Sequence, residues 1–204
     1  MSDFAKEDFK DLKISNVEFV YPHVDHLVHY KPSENKTVEC DEHAHNANWE
    51  TSFTLEESRA KKLYALAEKH FKDRCGKKEP FGAIHGYNEA MYNDQLQMRF
   101  KAAVKAKTAK GKLNNPPVVV NPDGQPVENR NFWSGSTGDI TFTMFPADNP
   151  KTGKKGISFI LKKIVLHNAV YPSDDDVEQL DDYENPTDVQ DKQDYHDLDD
   201  EIPF

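Results

Sequence analysis

No stretch of this sequence approaches the roughly 20 consecutive apolar residues that a helix needs to cross a bilayer, so a helical membrane protein is not expected. The start, Met1-Ser2-Asp3-Phe4-Ala5-Lys6-Glu7, brings charges where a signal peptide would carry an apolar core. Both observations lead to the expectation of a soluble, cytoplasmic protein. Cysteine is scarce. Cys40 and Cys75 are too few for a disulfide framework, and without a secretion signal they read as free thiols packed as small apolar residues. Catalytic signatures are missing as well. Gly111-Lys112 and Gly153-Lys154 lack the spacing and the hydroxyl of a phosphate-binding loop, and Gly135-Ser136-Thr137-Gly138 lacks the spacing of a nucleophile elbow. Neither an enzymatic activity nor a cofactor is expected.

What the sequence does carry is an uneven charge. The net charge is -10, which taken as an average argues against a nucleic-acid partner. Residues 173–204, however, hold fourteen of the 36 acids and only Lys192 of the 26 bases, which leaves 22 acids against 25 bases on residues 1–172. A mildly basic body therefore precedes a strongly acidic tail. The tail has few large apolar side chains, cannot offset its ordering entropy by burial, and is expected to be disordered. Its last residues, Asp199-Asp200-Glu201-Ile202-Pro203-Phe204, offer an apolar handle behind an acidic run, which solubility alone does not require. The division expected is a folded domain over 1–172 and a disordered tail over 173–204 with a partner-binding tip.

Within the body the periodicity is mostly that of strands. Residues 14–21 alternate, with Val17, Phe19 and Tyr21 on one face. Trp49, Thr51, Phe53 and Leu55 alternate again, giving a strand near 48–54. Thr54, with Glu57 three residues on, predicts a capping box for a helix through Leu63, Leu66, Ala67 and Phe71 that stops near Cys75-Gly76. Residues 22–47 read as a long loop and 76–95 as an irregular insertion. Leu96, Met98, Phe100, Ala102 and Val104 share one strand face; a helix competes there, because Ala and Lys favour helices, but the period of two favours the strand. Val118–Val120 and Gln125–Val127 predict a hairpin around Asp123-Gly124. Strands over 139–145 and 156–167, separated by a basic turn at 149–155, complete the body. Five or more short strands with one helix after the second predict a mainly β fold, a five-stranded, partly open barrel.

Cations and aromatics interleave in the second half of the body. Arg99, Lys101, Lys105 and Lys107 lie along one strand and its exit; Arg130, Phe132 and Trp133 precede the next, and Lys154 and Lys155 occupy the last turn, with Phe100, Phe142 and Phe145 between them. Sequence-independent binding of single strands needs this mixture, since cations track phosphates and aromatic faces accept any base. These twelve residues are the candidate DNA-binding set. The acidic tail beside a basic groove would compete with DNA phosphates. Cys40, His43 and His45, with His23, His26 and His29 nearby in sequence, have spacing that permits a metal site. No familiar zinc pattern is complete, so the preferred reading is a polar loop or a protonation-sensitive surface, with no metal expected.

The tip Asp199 to Phe204 resembles the acidic C-terminal tip of bacterial single-stranded DNA-binding proteins. The body, from Phe132-Trp133-Ser134-Gly135 through Asp139–Pro146 to Lys155–Leu161, is similar to phage-encoded single-stranded DNA-binding proteins. That resemblance implies an OB fold and sequence-independent strand coating in phage DNA replication and recombination. It also implies a host-cytoplasm location and contacts of Asp199, Asp200, Glu201, Ile202, Pro203 and Phe204 with replication proteins such as polymerase or helicase-primase. A homodimer is compatible with this reading, through body strands or through one chain's tail in another's groove. Two alternatives stand beside it: a metal-dependent DNA-processing enzyme using the His-rich 23–45 region, and a protein-interaction adaptor whose tail mimics nucleic acid.

Overall fold

A computed structural model describes residues 11–92, 95–108, 110–148 and 155–172. The acidic segment 173–204, for which disorder is expected, lies outside the described residues, as does the turn 149–154 with Lys154. Strand β1 (Asp11–Lys31) pairs antiparallel with β2 (Lys36–Cys40) and β3 (Asn48–Leu55). Helix α1 (Glu57–Cys75) follows, then the short strands β4 (Ala83–Ile84) and β5 (Asn88–Tyr92). The long strands β6 (Gln95–Lys105), β8 (Thr137–Asp148) and β9 (Lys155–Asn168), with β7 (Val118–Val120) between the first two, complete the chain.

Five of these strands close on themselves. The order β9-β8-β1-β3-β6 is antiparallel throughout, and β6 returns to β9 through a parallel pairing of Ala102 with Phe159 and Ala103 with Ile160. The result is a mixed five-stranded barrel whose helix follows its second strand, in agreement with the expected fold class. The parallel contact spans two residue pairs among the described residues, so the barrel that was expected to be partly open is sealed by its shortest seam.

The interior explains the closure. Inward-facing residues of β3, β6, β8 and β9 place Phe53, Phe100, Phe142 and Phe159 in one stack, with ring centroids 5.6 Å apart for Phe53–Phe100 and 4.2 Å for Phe142–Phe159. Each is at most 3% exposed, and burying such rings contributes about 1.5–3 kcal/mol apiece. Helix α1 buries Ala60, Leu63, Ala67 and Phe71, and Phe71 meets Phe81 beyond the helix end at 5.5 Å. Gly138 is required where β8 crosses close to β9, because a Cβ there would lie 2.2 Å from the Val165 carbonyl oxygen.

Three local expectations change. Residues 22–47 are not a loop: β1 continues to Lys31 and turns back as β2, so most of that segment is a β-ribbon. The capping box fails because Thr54 is still in β3, where it pairs with Arg99 and Glu18, and Glu56 stands at the N-cap without a side-chain cap. The irregular 76–95 segment contributes β4 and β5 to the sheet. The Asp123-Gly124 turn does form: Gly124 N–H donates to Asn121 O at 2.9 Å and Val127 N–H to Val119 O at 3.1 Å. The helix also stops at Gly76 as its composition indicates.

Candidate nucleic-acid interface

Alternation along β6 sorts the interleaved sequence into two faces. Phe100 and Ala102 point inward, whereas Arg99, Lys101 and Lys105 point outward opposite Thr54, Ser52 and Asn48 of β3. Lys107 extends the row beyond the strand, with its Nζ 3.1 Å from His43 Nδ1. Lys105 Nζ reaches Asn46 Oδ1 at 3.5 Å. Lys101 Nζ is held by Glu50 Oε2 at 2.7 Å. Gly86 lets a neighbouring turn lie directly over that lysine: a Cβ at Gly86 would meet Lys101 Cβ at 2.5 Å, and Lys101 N–H donates to Gly86 O at 3.1 Å.

The predicted cations therefore form one outward row on β6 and its exit, with two more set apart. Lys155 pairs with Glu79 at 3.1 Å at the start of β9, while Arg130 sits half-buried in the loop before β8.

The predicted aromatics separate from that row. Phe100, Phe132 and Phe142 are 0%, 1% and 0% exposed, and Phe145 is buried too. Phe132 packs edge-on against Phe19 at 5.6 Å, and Phe142 stacks on Phe159. Phe100, Phe132 and Phe142 therefore belong to the hydrophobic core and present no face to a base, and Phe145, outside that core cluster, is 9% exposed. Of the predicted aromatics, Trp133 alone is half-buried rather than buried.

An aromatic that the alternation pattern placed on one face with Val17 and Phe19 stands outside, whereas those two are buried. The β1–β3 register shifts between Val20 and His23, and Tyr21 takes a positive φ of 49° there. A β-bulge of this kind re-aims a side chain. Tyr21 is 39% exposed, with the Arg99 guanidinium 5.9 Å from its ring centroid. Its N–H donates to Ser134 Oγ at 2.9 Å, and Gly135 N–H donates to Phe19 O at 3.0 Å, so the loop bearing Trp133 is fastened to the bulge. Period-2 reading carried straight through the bulge and so inverted Tyr21; the Tyr21-Pro22 step was the available hint, because proline cannot donate to a ladder.

The histidine-rich segment also acquires geometry. His23 lies opposite Glu50, and its Nδ1 is 3.3 Å from His26 Nε2, with the rings edge to face. His26 Nδ1 meets Asp25 Oδ1 at 2.8 Å. Burial holds the His23 imidazole below its ordinary value, whereas the adjacent Asp25 carboxylate raises that of His26. Among the described residues no group of three or more His, Cys, Asp or Glu side chains could hold a metal ion, and no helix is long and apolar enough to cross a membrane.

No protein-family model matches the sequence, and no curated protein matches it. Among solved structures, the C-terminally truncated single-stranded DNA-binding protein from bacteriophage Enc34 is similar with a TM-score of 0.56 at 12% identity, over 80% of this chain and 88% of that one. The same phage protein in complex with ssDNA gives 0.54 at 13% identity, over 79% and 88%. The single-stranded DNA-binding protein gp2.5 of bacteriophage T7 gives 0.49 at 15%, over 90% and 100%. The barrel and the helix after its second strand thus share the fold of the Enc34 single-stranded DNA-binding protein.

Proposed function

We propose that this protein binds single-stranded DNA without sequence preference on the outward face of β3 and β6, and that it is not an enzyme. The observation that carries this reading is the row Arg99, Lys101, Lys105 and Lys107, on the strand pair that OB barrels use for oligonucleotides together with their flanking loops. Counted along the chain, the barrel strands are β1, β3, β6, β8 and β9, so β3 and β6 are the second and third. The β1–β2 ribbon lies in the connection from β1 to β3, and segment 149–154, which carries Lys154, joins β8 to β9 in sequence. Support also comes from the similar fold of a phage protein solved with ssDNA.

Phosphates lie along the β6 row, and Arg130, Lys154 and Lys155 extend the path. Bases stack on Tyr21 and Trp133, each stacked base contributing about 1–3 kcal/mol. The protein coats strands in phage replication and recombination. The tip Asp199–Phe204 recruits replication proteins, an apolar pocket with a basic rim taking Ile202-Pro203-Phe204 and the acids before it. Segment 173–204 competes with DNA for the cationic row until a strand displaces it.

Fluorescence anisotropy with labelled oligo-dT and a matched duplex, at low and moderate salt, tests the reading. Tight, salt-sensitive preference for oligo-dT is expected, and it strengthens when residues 173–204 are deleted. No binding by either form removes the proposal and favours the adaptor. Equal affinity of the two forms at low salt removes only the competing tail.

A further inference from the structure

One carboxylate on the outward face stands between a lysine and a histidine pair. Glu50 on β3 is 12% exposed at its side chain; it takes Lys101 Nζ from β6 at 2.7 Å and lies in register with His23 on β1. His23 in turn meets His26, and His26 meets Asp25, so the Lys101–Glu50 ion pair and the His23–His26–Asp25 group face each other across the β1–β3 register, Glu50 opposite His23. The charged groups acting on the two imidazoles are Asp25 from β1 itself, Glu39 from β2, Glu50 from β3 and Lys101 from β6.

The 3.3 Å separation of His23 Nδ1 and His26 Nε2 has room for one proton. When the neutral His26 ring carries its proton on Nδ1, beside the Asp25 carboxylate, His26 Nε2 accepts from His23 Nδ1–H. When His26 is protonated, its Nε2–H donates and His23 accepts. A second charge on the pair is opposed by repulsion and by the burial of His23. Glu50, the carboxylate opposite His23, is engaged with Lys101.

We propose that His23, His26 and Glu50 belong to the strand-binding surface and couple DNA binding to the uptake of a proton. The proposal rests on the reading that this face binds single-stranded DNA. A phosphate that takes Lys101 releases Glu50, which becomes the counter-ion of the imidazole directly across the strand pair. The imidazole then takes a proton from solvent, and the positive charge gained faces the bound strand. By linkage, the bound state holds more protons than the free state, so affinity rises as pH falls through the range in which histidine titrates.

The test uses the full chain with oligo-dT at fixed ionic strength between about pH 5.5 and 8.5, a window centred on histidine titration. For one proton per strand, affinity rises up to about tenfold per pH unit decrease, since a pH unit is equivalent to a tenfold change in an equilibrium constant. Titration calorimetry in two buffers of different ionisation enthalpy counts the same proton. His23→Gln flattens the slope, and Glu50→Gln both tightens binding near pH 8 and flattens the slope, because Lys101 is then unopposed.

A second arm needs no DNA. In Lys101→Ala, followed by nitrogen-edited NMR of the imidazoles, the His23 titration moves upward by about one unit as Glu50 is freed. Binding independent of pH, or a slope that survives both His23→Gln and His26→Gln, overturns the proposal. If no strand binds at any pH, the underlying DNA reading fails instead; the NMR arm then decides, and an unmoved His23 titration overturns the coupling itself.

Discussion

The two faces of β6 present opposite chemistries one residue apart. Inward, Phe100 lies in a stack with Phe53 and Phe159 and has no exposure. Outward, Arg99 and Lys101 remain half-exposed, one under the Tyr21 ring and the other tied to Glu50. Mixture in sequence is therefore separation in space. The same alternation that fills the barrel with rings clears its surface for cations, and a strand rich in both types serves stability with one half and the proposed binding with the other.

Phe100→Ala is the largest test of that division. Removing a fully buried ring costs about 3–5 kcal/mol of stability, read from the urea midpoint. Unchanged stability with weakened DNA binding would place the ring outside and break the comparison.

Asp139 is a polar exception on the barrel wall, 6% exposed. Burial opposes its charge. Lys13 at 2.7 Å, the Asn16 N–H at 3.2 Å and nearby His167 nevertheless keep its carboxyl below the ordinary value. Asp139→Asn costs about 1.5–3 kcal/mol at neutral pH, the range for hydrogen bonds to charged groups. A depressed carboxyl contributes stability above its unfolded value, near pH 3.9, and loses that contribution as pH falls through the folded one. Variant and parent should therefore converge in acid; a gap that is constant with pH would show the loss to be packing rather than charge.

Outside the barrel the effects should fall on affinity. Tyr21→Ala weakens oligo-dT binding by about 1–3 kcal/mol while the melting temperature holds; a matching loss of stability would return Tyr21 to the core side of the comparison. The mildest change is Lys105→Ala with Lys107→Ala. Stability should move within about 0.5 kcal/mol. The slope of log affinity against log salt should shrink by about 1.4, because each phosphate left without its lysine removes about 0.7. An unaltered slope would place the phosphates elsewhere.

Much of the frame was legible beforehand. The strands around 48–54, 96–104, 139–145 and 156–167 follow period-2 patterns strong enough to survive tertiary context, and the helix over 57–75 ends at the glycine its composition marks. The β1–β2 ribbon was not legible. Val24 and Val28 are buried there, but Pro22 and the polar His23, Asp25, His26 and His29 interrupt the alternation that would have marked a strand. Tyr21 was misassigned because a bulge adds one residue and inverts every later side chain. Glu50 was not singled out at all, since an acid in an alternating strand shows no trace of the lysine that will lie diagonally across from it.

The sequence by itself determined the basic body and acidic tail, the strand-rich pattern and which residues of β6 share a face, because charge and period are local properties of the chain. Only the tertiary structure decided which of those faces is inside. That choice depends on barrel closure through Ala102–Phe159 and Ala103–Ile160 and on the bulge at Tyr21, both of which join residues far apart in sequence. Closure buries the aromatic face, whose exposure to water is unfavourable, and leaves the cations outward, where their charge stays hydrated.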